Sequence, residues 1–191
     1  AFVGLPDQVA SIRRLQQLGH RGAAKVDYLL GPYAGLAMYR QAIESFLRSN
    51  GVHGLHEVIR LRYREGEWPG HLEITTRSGK VLRASKFYYN YLLPFYLTKS
   101  SLYSVDFTNE LADISVGDAW HPRYEKQGEG FSVVLARSEK AERLLVDMES
   151  QSLLTLNGVG LTDVLDMHAH MLDFKKRGAF IRMKWRKRFG R

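Results

Sequence analysis

One stretch of the sequence places four carboxylates around a short apolar segment with the character of a strand. It reads Asp-Phe-Thr-Asn-Glu-Leu-Ala-Asp-Ile-Ser-Val-Gly-Asp-Ala-Trp over residues 106–120. A strand that ends in Gly-Asp-Ala-Trp brings bare backbone, a carboxylate and an indole to one point, which suits a planar heterocycle or a polar ligand. The alternative is that Asp106 and Glu110 cap or pair on the surface and Trp120 lies in the core.

The end of the chain is a second region with chemical potential. Residues 175–191 hold nine Lys and Arg and no acid, which leaves 19 basic and 20 acidic residues in the rest. Phe180, Trp185 and Phe189 are interleaved with these cations. Cations can meet phosphates while rings stack on bases, so the segment could contact nucleic acid or an anionic cofactor. A solvated end, or a segment that docks on a partner domain, is the simpler interpretation.

Other constellations indicate structure more than chemistry. Gly158-Val-Gly160-Leu-Thr-Asp163 lies where a dinucleotide fingerprint would, but Asp163 replaces the third Gly, so it predicts a turn and a helix start. The pairs His53/His56 and His168/His170 have no further convergent ligands in sequence, so we expect surface or core histidines and no metal. No Gly-x-Ser-x-Gly motif supports hydrolase chemistry.

The composition narrows the class of protein. With 191 residues, 45% apolar and 25% charged, the chain is typical of a globular protein and not of a disordered or collagen-like one. The absence of cysteine excludes a cysteine nucleophile, a Cys-x-x-Cys redox pair and thiolate-ligated metal within this chain. The apolar runs are shorter than the roughly 20 residues that a membrane span needs. We therefore expect a soluble, cytoplasmic protein, which begins as though it were the later part of a longer one.

Hydrophobic periodicity predicts the elements that position these residues. The expected strands are 2–5, 26–30, 58–64, 71–76, 80–83, 113–116, 131–136 and 153–156. The expected helices are 6–18, 37–47, 86–97 up to Pro94, 138–148 capped by Ser138, and 161–174. This pattern predicts an α/β fold, with a mixed sheet, flanking helices and an antiparallel hairpin segment. We expect a single α/β domain over residues 1–174, followed by a basic C-terminal tail over 175–191.

The acidic motif resembles a signature of a known family. Phe-Thr-Asn-Glu-Leu-Ala-Asp-Ile-Ser-Val-Gly-Asp-Ala-Trp over 107–120 is similar to the C-terminal region of the beta subunits of coenzyme F420 hydrogenases and dehydrogenases. The family includes related ferredoxin-linked flavoprotein reductases. Weaker similarities extend the resemblance over most of the chain, at residues 4–6, 31–35, 62–64, 68–70, 132–134 and 175–178.

The resemblance implies a cofactor and partners. Members bind FAD, hold [4Fe–4S] clusters and pass electrons between a cluster chain and a substrate such as the deazaflavin coenzyme. The resemblance thus suggests FAD, a deazaflavin or other electron carrier, and partner subunits of a redox complex or a missing N-terminal domain. The residues expected to contact cofactor or substrate are Asp113, Ser115, Gly117, Asp118 and Trp120, with Lys175 and Lys176 as phosphate candidates.

Four positions depart from the family pattern. Thiolates that would hold one cluster are expected where this chain has Asp7, Ala34, Ser101 and Ser104. Iron–sulfur clusters need soft thiolates, which carboxylate, methyl and neutral hydroxyl groups do not replace. The sequence therefore predicts no iron–sulfur cluster in this chain.

Three functions remain open from the sequence. The first is a flavin-dependent, oxidoreductase-like domain that transfers hydride or electrons without the cluster. The second is a non-catalytic remnant or scaffold subunit of a redox complex. The third is a nucleic-acid-binding module that uses the basic tail.

Overall fold

The first strand and helix follow directly from the opening residues. The computed structural model describes residues 1–85, 88–125 and 130–190, and only the backbone of Tyr89 and Glu125. Strand β1 (Phe2–Val3) leads into helix α1 (Pro6–Gln17), with Pro6 at the first turn, and Gly19 adopts a positive φ just beyond the helix. Helix α2 (Arg21–Ala24) and strand β2 (Leu29–Pro32) follow. The predicted start of the second strand at Val26 is wrong by three residues.

The middle of the chain contains the predicted antiparallel segment. Helix α3 (Gln41–Ser49) precedes a 3-10 turn (Leu55–Glu57) and strands β3 (Val58–Glu65), β4 (His71–Thr76) and β5 (Val81–Ser85). These strands form an antiparallel sheet in the order β3-β4-β5, and Gly79 has the positive φ that the turn between β4 and β5 requires. The antiparallel prediction is confirmed, whereas α3 begins later than the predicted Ala37.

The predicted helix over 86–97 is wrong as one continuous element. Lys86 and Phe87 lie outside the described residues, and the rest forms a 3-10 turn (Tyr88–Leu92) and helix α4 (Leu93–Tyr96). Pro94 stands in the first turn of α4, where its missing N–H costs nothing, instead of ending a helix. Helix α5 (Lys99–Tyr103) follows.

The last third of the chain returns to the first sheet. It contains strand β6 (Ile114–Asp118), helix α6 (Pro122–Glu125), strand β7 (Ser132–Ala136), and helices α7 (Glu139–Ser150), α8 (Leu161–Lys175) and α9 (Arg177–Phe189). Gly128, predicted in a loop, lies outside the described residues. The predicted strand over 153–156 is wrong: the segment is irregular, and the Leu156 N–H donates to Glu149 Oε1 at 2.8 Å. The basic tail is helical.

The described strands of the first sheet have the order β1-β2-β6-β7. Strands β1, β2 and β6 are parallel, and β7 pairs antiparallel with β6, so the sheet is mixed and the α/β prediction is confirmed. Val9 and Leu29 are fully buried at its centre and pack with Ala112. A second core, in the antiparallel part of the chain, is built around Phe46, Leu72 and Ile74.

The described chain divides into two compact units, each made of residues that lie close together in space. One comprises residues 1–35, 103–121 and 131–191, and the other comprises 36–102 and 122–130. The first unit contains the mixed sheet and the second contains the antiparallel sheet. The assignment of one domain to 1–174 and a tail to 175–191 stays a prediction.

A close approach at Gly31 joins β1 and β2 to the segment that precedes β6. Asn109 is fully buried with φ of 58°, and its Nδ2 donates to the carbonyl oxygen of Gly4 at 2.8 Å. A Cβ at Gly31 would lie 2.2 Å from Cγ and Nδ2 of Asn109. The glycine is therefore required by the amide that lies against it.

We predict that Gly31→Ala lowers the free energy of unfolding by about 3 kcal/mol, because the new methyl group must displace Asn109 and its hydrogen bond. Gly158→Ala is the matched control, since a Cβ there meets no described atom within 4 Å. That variant should change stability by less than about 0.5 kcal/mol. Urea unfolding of both variants measures the difference, and equal effects would contradict the steric argument.

Candidate functional site

The site lies at the carboxyl edge of the three parallel strands. Ligands of α/β proteins commonly bind beyond the carboxyl ends of such strands, where loops rather than helices cover the sheet. Strand β1 leads there to the start of α1, β2 leads to Tyr33 and Ala34, and β6 leads to Trp120. The Ala34 N–H donates to the carbonyl oxygen of Phe107 at 2.8 Å, which brings the segment before β6 to the same edge.

Gly117 allows a ring of the chain itself to approach β6. A Cβ at Gly117 would lie 2.2 Å from Cδ2 of Tyr33, so the ring occupies the space that a side chain would need. The Tyr33 N–H also donates to the carbonyl oxygen of Val116 at 2.8 Å. The sequence predicted bare backbone for a ligand here, and in the structure Tyr33 contacts that backbone.

Tyr33, Phe107 and His168 form an aromatic cluster at this edge. Their ring centroids are 5.1–5.2 Å apart in T-shaped arrangements, a favourable geometry for aromatic pairs. His168 comes from α8 and is only 4% exposed. The cluster joins α8 to the carboxyl edge of the sheet.

Two polar atoms of this cluster are buried without a hydrogen-bond partner among the described residues. They are Oη of Tyr33 and Nε2 of His168. Burial raises the pKa of the Tyr33 hydroxyl, although the Arg137 guanidinium opposes this rise, so the hydroxyl keeps its proton at neutral pH. Burial also lowers the pKa of His168, with a further contribution from His170. The cluster therefore presents a neutral hydroxyl and a neutral imidazole.

The protonated nitrogen of His168 follows from its neighbour. Its imidazole forms a hydrogen bond with the Asp118 backbone, which favours a protonated ring nitrogen. Because Nε2 is the nitrogen without a partner in the part of the chain that the structure describes, Nδ1 carries that bond. In the neutral ring Nε2 is then an acceptor, while Tyr33 Oη can donate.

Asp113 and Ser115, both predicted contacts of a ligand, are buried in interactions within the protein. Asp113 accepts from the Leu29 N–H at 2.8 Å and forms ion pairs with Arg13 at 3.1 Å and Lys140 at 3.3 Å. Ser115 Oγ accepts from Arg137. Burial alone would raise the pKa of Asp113, but the Leu29 N–H, Arg13 and Lys140 together hold it below its usual value.

Asp118 and Trp120, two further residues of the predicted set, stay partly exposed at the end of β6. Both are half-buried and both make interactions within the chain. The Asp118 carboxylate opposes the lowering of the His168 pKa, which places it near the aromatic cluster. The structure therefore brings Gly117 and Asp118 together with Tyr33 and His168.

Lys175 and Lys176, the predicted phosphate contacts, differ in environment. Lys175 is 2% exposed, and its pKa is lowered by burial and by Arg182 while Asp7 and Asp106 oppose the change. Burial in turn raises the pKa of Asp106. Lys176 lies on the surface and pairs with Glu110. In this structure Lys175 is a buried cation in the neighbourhood of Asp7 and Asp106, and Lys176 forms a surface ion pair.

Three of the four predicted cluster-ligand positions converge on the segment before β6. Ala34 contacts it through Phe107, Ser104 Oγ donates to the Asp106 carbonyl oxygen at 3.4 Å, and Asp7 shares the neighbourhood of Lys175 with Asp106. Ser101 belongs to the second unit, where its Oγ accepts from the Ala37 N–H at 2.9 Å. The side chains at these positions are a carboxylate, a methyl group and hydroxyls, so they do not fit an iron–sulfur cluster.

The sequence did not identify the aromatic residues of this edge. Tyr33 follows a predicted strand and Phe107 lies within the acidic motif, but nothing local indicates that their rings meet. His168 was predicted to be a surface or core histidine, and it is buried. The only available signal was an aromatic residue directly after a strand that ends in Gly-Pro.

Two further observations concern metal ions and membranes. Over residues 1–85, 88–125 and 130–190, no group of three or more acidic or histidine side chains is arranged to hold a metal ion. None of the helices in the described ranges has both the length and the apolar character to cross a bilayer. The Gly158–Asp163 segment forms an irregular stretch and the first turn of α8, as predicted.

Comparison with known proteins identifies the family. The family model that describes the C terminus of the beta subunit of coenzyme F420 hydrogenase/dehydrogenase matches residues 1–160, and the chain belongs to this family. The resemblance seen in the acidic motif is thereby confirmed. A search of curated proteins gave no match.

A solved structure has a similar fold. It is a chain in the xenon-derivatised F420-reducing nickel–iron hydrogenase complex from Methanosarcina barkeri, with a TM-score of 0.62 and 16% sequence identity. The match covers 91% of this chain and 57% of that chain, so this chain spans little more than half the length of its structural relative. At this identity the likeness establishes the fold.

We predict that Asp113→Asn lowers the free energy of unfolding by about 3 kcal/mol at pH 7, because two cations and a backbone N–H lose their acceptor. The folded-state pKa of Asp113 lies below that of the unfolded chain. Its stabilisation is therefore complete above the unfolded pKa near 3.9 and is lost as the pH falls through the folded value.

Asp173→Asn is the matched control, since Asp173 pairs on the surface with Arg177. Such a pair contributes about 0.5 kcal/mol. Denaturant unfolding between pH 2 and pH 7 measures both effects. Equal stability of the two variants would show that Asp113 is not a structural carboxylate.

We predict that stability depends on the protonation of His168. Because its folded-state pKa is lowered, the unfolded chain binds the proton more readily, and the free energy of unfolding falls as the pH decreases from about 6.5 to the folded value. His168→Leu should remove this dependence, whereas His53→Gln, at an exposed position, should keep it. Unfolding curves from pH 5 to 7.5 test the slope, and an unchanged slope in His168→Leu would refute the assignment.

Proposed function

We propose that this chain is the flavin-binding, C-terminal part of an electron-transferring subunit in a redox complex. The observation that carries the proposal is a pair of buried atoms, Tyr33 Oη and His168 Nε2, which have no partner among the described residues and lie at the carboxyl edge of the parallel strands. Membership of the F420 hydrogenase/dehydrogenase beta subunit family supports the class of reaction. The proposed reaction is hydride or electron transfer, with a deazaflavin coenzyme or another carrier as the second reactant.

The residues at this edge fit one part of FAD. The isoalloxazine ring carries a ring N–H beside carbonyl oxygens, and a site with one acceptor and one donor matches that edge. His168 Nε2 would accept and Tyr33 Oη would donate. When bound, FAD supplies the ring that accepts or gives up the hydride.

The remaining residues would hold this edge in place. Asp113 and Ser115 join β6 to α1, α7 and Arg137, and they do so through buried polar contacts. Gly117 allows Tyr33 to lie against the strand. Buried, fully bonded groups keep donors and acceptors at fixed positions, which lowers the cost of binding.

A non-catalytic scaffold subunit is the second candidate. The observation that favours it is that the side chains of Asp7, Ala34, Ser101 and Ser104 do not fit an iron–sulfur cluster. Such a chain would keep the fold and the partner surface of the family without passing electrons. We propose the absence of an iron–sulfur cluster in either case.

We predict that the purified chain takes up FAD and that Tyr33→Phe lowers its affinity about fivefold, the effect of one hydrogen bond. Tyr33→Phe should not lower stability, because the hydroxyl has no partner among the described residues. Tyr39→Phe, at an exposed tyrosine of the other unit, is the matched control and should bind as the parent chain does.

The visible spectrum during FAD titration is the measurement, together with assays of iron and acid-labile sulfide. A flavin band without iron supports the leading proposal. A chain that takes up no FAD supports the scaffold instead. Stoichiometric iron and sulfide would contradict both.

A further inference from the structure

Helix α9 presents a continuous apolar stripe. Ile181, Trp185 and Phe189 recur every four residues, so they lie on one face of the helix. Their exposed fractions are 37%, 63% and 65%. Large apolar side chains that are aligned and exposed indicate an interaction surface more strongly than scattered ones do.

Cations border this stripe on both sides. Lys184 and Arg188 flank it on one side, and Arg182 and Arg186 flank it on the other. Residues 177–189 contain six Lys and Arg and no acid. Arg177 at the start of the helix is paired with Asp173, at 2.6 Å.

A groove of about 570 Å³ accompanies the stripe. It is lined by Tyr103, Arg182, Trp185, Arg186 and Phe189. The Arg186 guanidinium lies 5.3 Å from the Tyr103 ring, and that of Arg182 lies 4.0 Å from the Phe174 ring and donates to the Phe174 carbonyl oxygen. The rings hold two guanidinium groups beside the apolar stripe, where their N–H groups can donate to a phosphate.

We propose that α9 docks on an anionic phospholipid surface. The helix would lie in the plane of the interface, with the stripe at the boundary between headgroups and acyl chains and the cations on the phosphates. Thirteen residues extend about 20 Å, which is shorter than the hydrocarbon core, so the helix lies on the bilayer and does not cross it.

The arrangement favours a lipid surface over nucleic acid. Proteins bind nucleic acids through cations that contact the phosphates and aromatic rings that stack on the bases. The aliphatic Ile181 in the stripe cannot stack on a base in this way. Lipid instead accepts Ile, Trp and Phe together, and flanking Lys and Arg reach the headgroups. A helix that lies in a membrane interface combines an apolar stripe with cations on both sides of it, and α9 has both features.

Phe180 provides a control within the same helix. It is 62% exposed, close to Trp185 and Phe189, but it lies on the opposite side of the helix from the stripe. Loss of Phe180 removes an aromatic ring of similar fractional exposure without touching the stripe. A non-specific hydrophobic effect would make the two positions equivalent.

The experiment is co-sedimentation of the 191-residue chain with large unilamellar vesicles. Vesicles of phosphatidylcholine alone are compared with vesicles that also contain phosphatidylglycerol, at low and at high salt. We expect binding to the anionic vesicles only, and weaker binding at high salt because ions screen the attraction.

Variants separate the apolar and the charged contributions. Trp185→Ser should lower the partition coefficient about tenfold, since a buried aromatic side chain is lost, and Phe180→Ser should leave it unchanged. Lys184→Gln with Arg188→Gln should lower it by about fivefold per charge. Arg14→Gln with Lys25→Gln removes two exposed cations elsewhere in the same unit and should have a smaller effect.

Three results would overturn the proposal. One is no binding to anionic vesicles at low salt. Another is equal loss in Phe180→Ser and Trp185→Ser. The third is tighter binding of a single-stranded oligonucleotide that displaces the chain from vesicles, which would assign α9 to nucleic acid. Circular dichroism of each variant establishes that the helices are retained.

Discussion

The first unit depends on the interactions that the Asp113 carboxylate makes. It lies at the start of β6 and receives the Leu29 N–H from β2, Arg13 from α1, and Lys140 and Ser138 from the beginning of α7. One buried charge thus connects a strand to its neighbour and to helices that come from opposite ends of the chain. A carboxylate in this position is stable only while its partners remain, so these elements hold one another in place. The Ser138 hydroxyl donates to Asp113 and makes no side-chain hydrogen bond with α7, the helix that it precedes. Ser138 therefore supports the carboxylate instead of capping the helix.

This connection explains why the other edge of the sheet can carry unsatisfied groups. Tyr33 Oη, His168 Nε2 and Asn109 Oδ1 are buried without a partner among the described residues, and each such group costs free energy. Proteins keep such groups where function compensates for the cost or where neighbouring structure leaves no alternative. The start of β6, where the polar groups are hydrogen-bonded, lies only a few residues from its end, where some nearby polar groups are not. A scaffold and the site that it supports usually lie this close together.

The sequence predicted the elements better than it predicted the roles of the residues in them. Local patterns identified α1, the antiparallel strands and α8 because their periodicity and turn residues lie within a few positions of each other. The assignment of Asp113 as a ligand contact could not be tested in that way, since Arg13, Leu29 and Lys140 are far from it in sequence. The strand predicted over 153–156 had the right composition, but pairing with another strand is a tertiary property that composition does not contain. The ring of Tyr33 over Gly117 belongs to the same kind of long-range information.

The distribution of charge has a consequence for how copies of this protein meet. Residues 175–191 carry nine bases, whereas the rest of the chain has 19 basic and 20 acidic residues. Mutual repulsion between copies in solution therefore originates almost entirely in α9 and its neighbours. Any anion that neutralises this helix leaves a body near its isoelectric condition, where colloidal repulsion vanishes. Occupancy of α9 by an anion is therefore expected to weaken the electrostatic repulsion between copies of the protein.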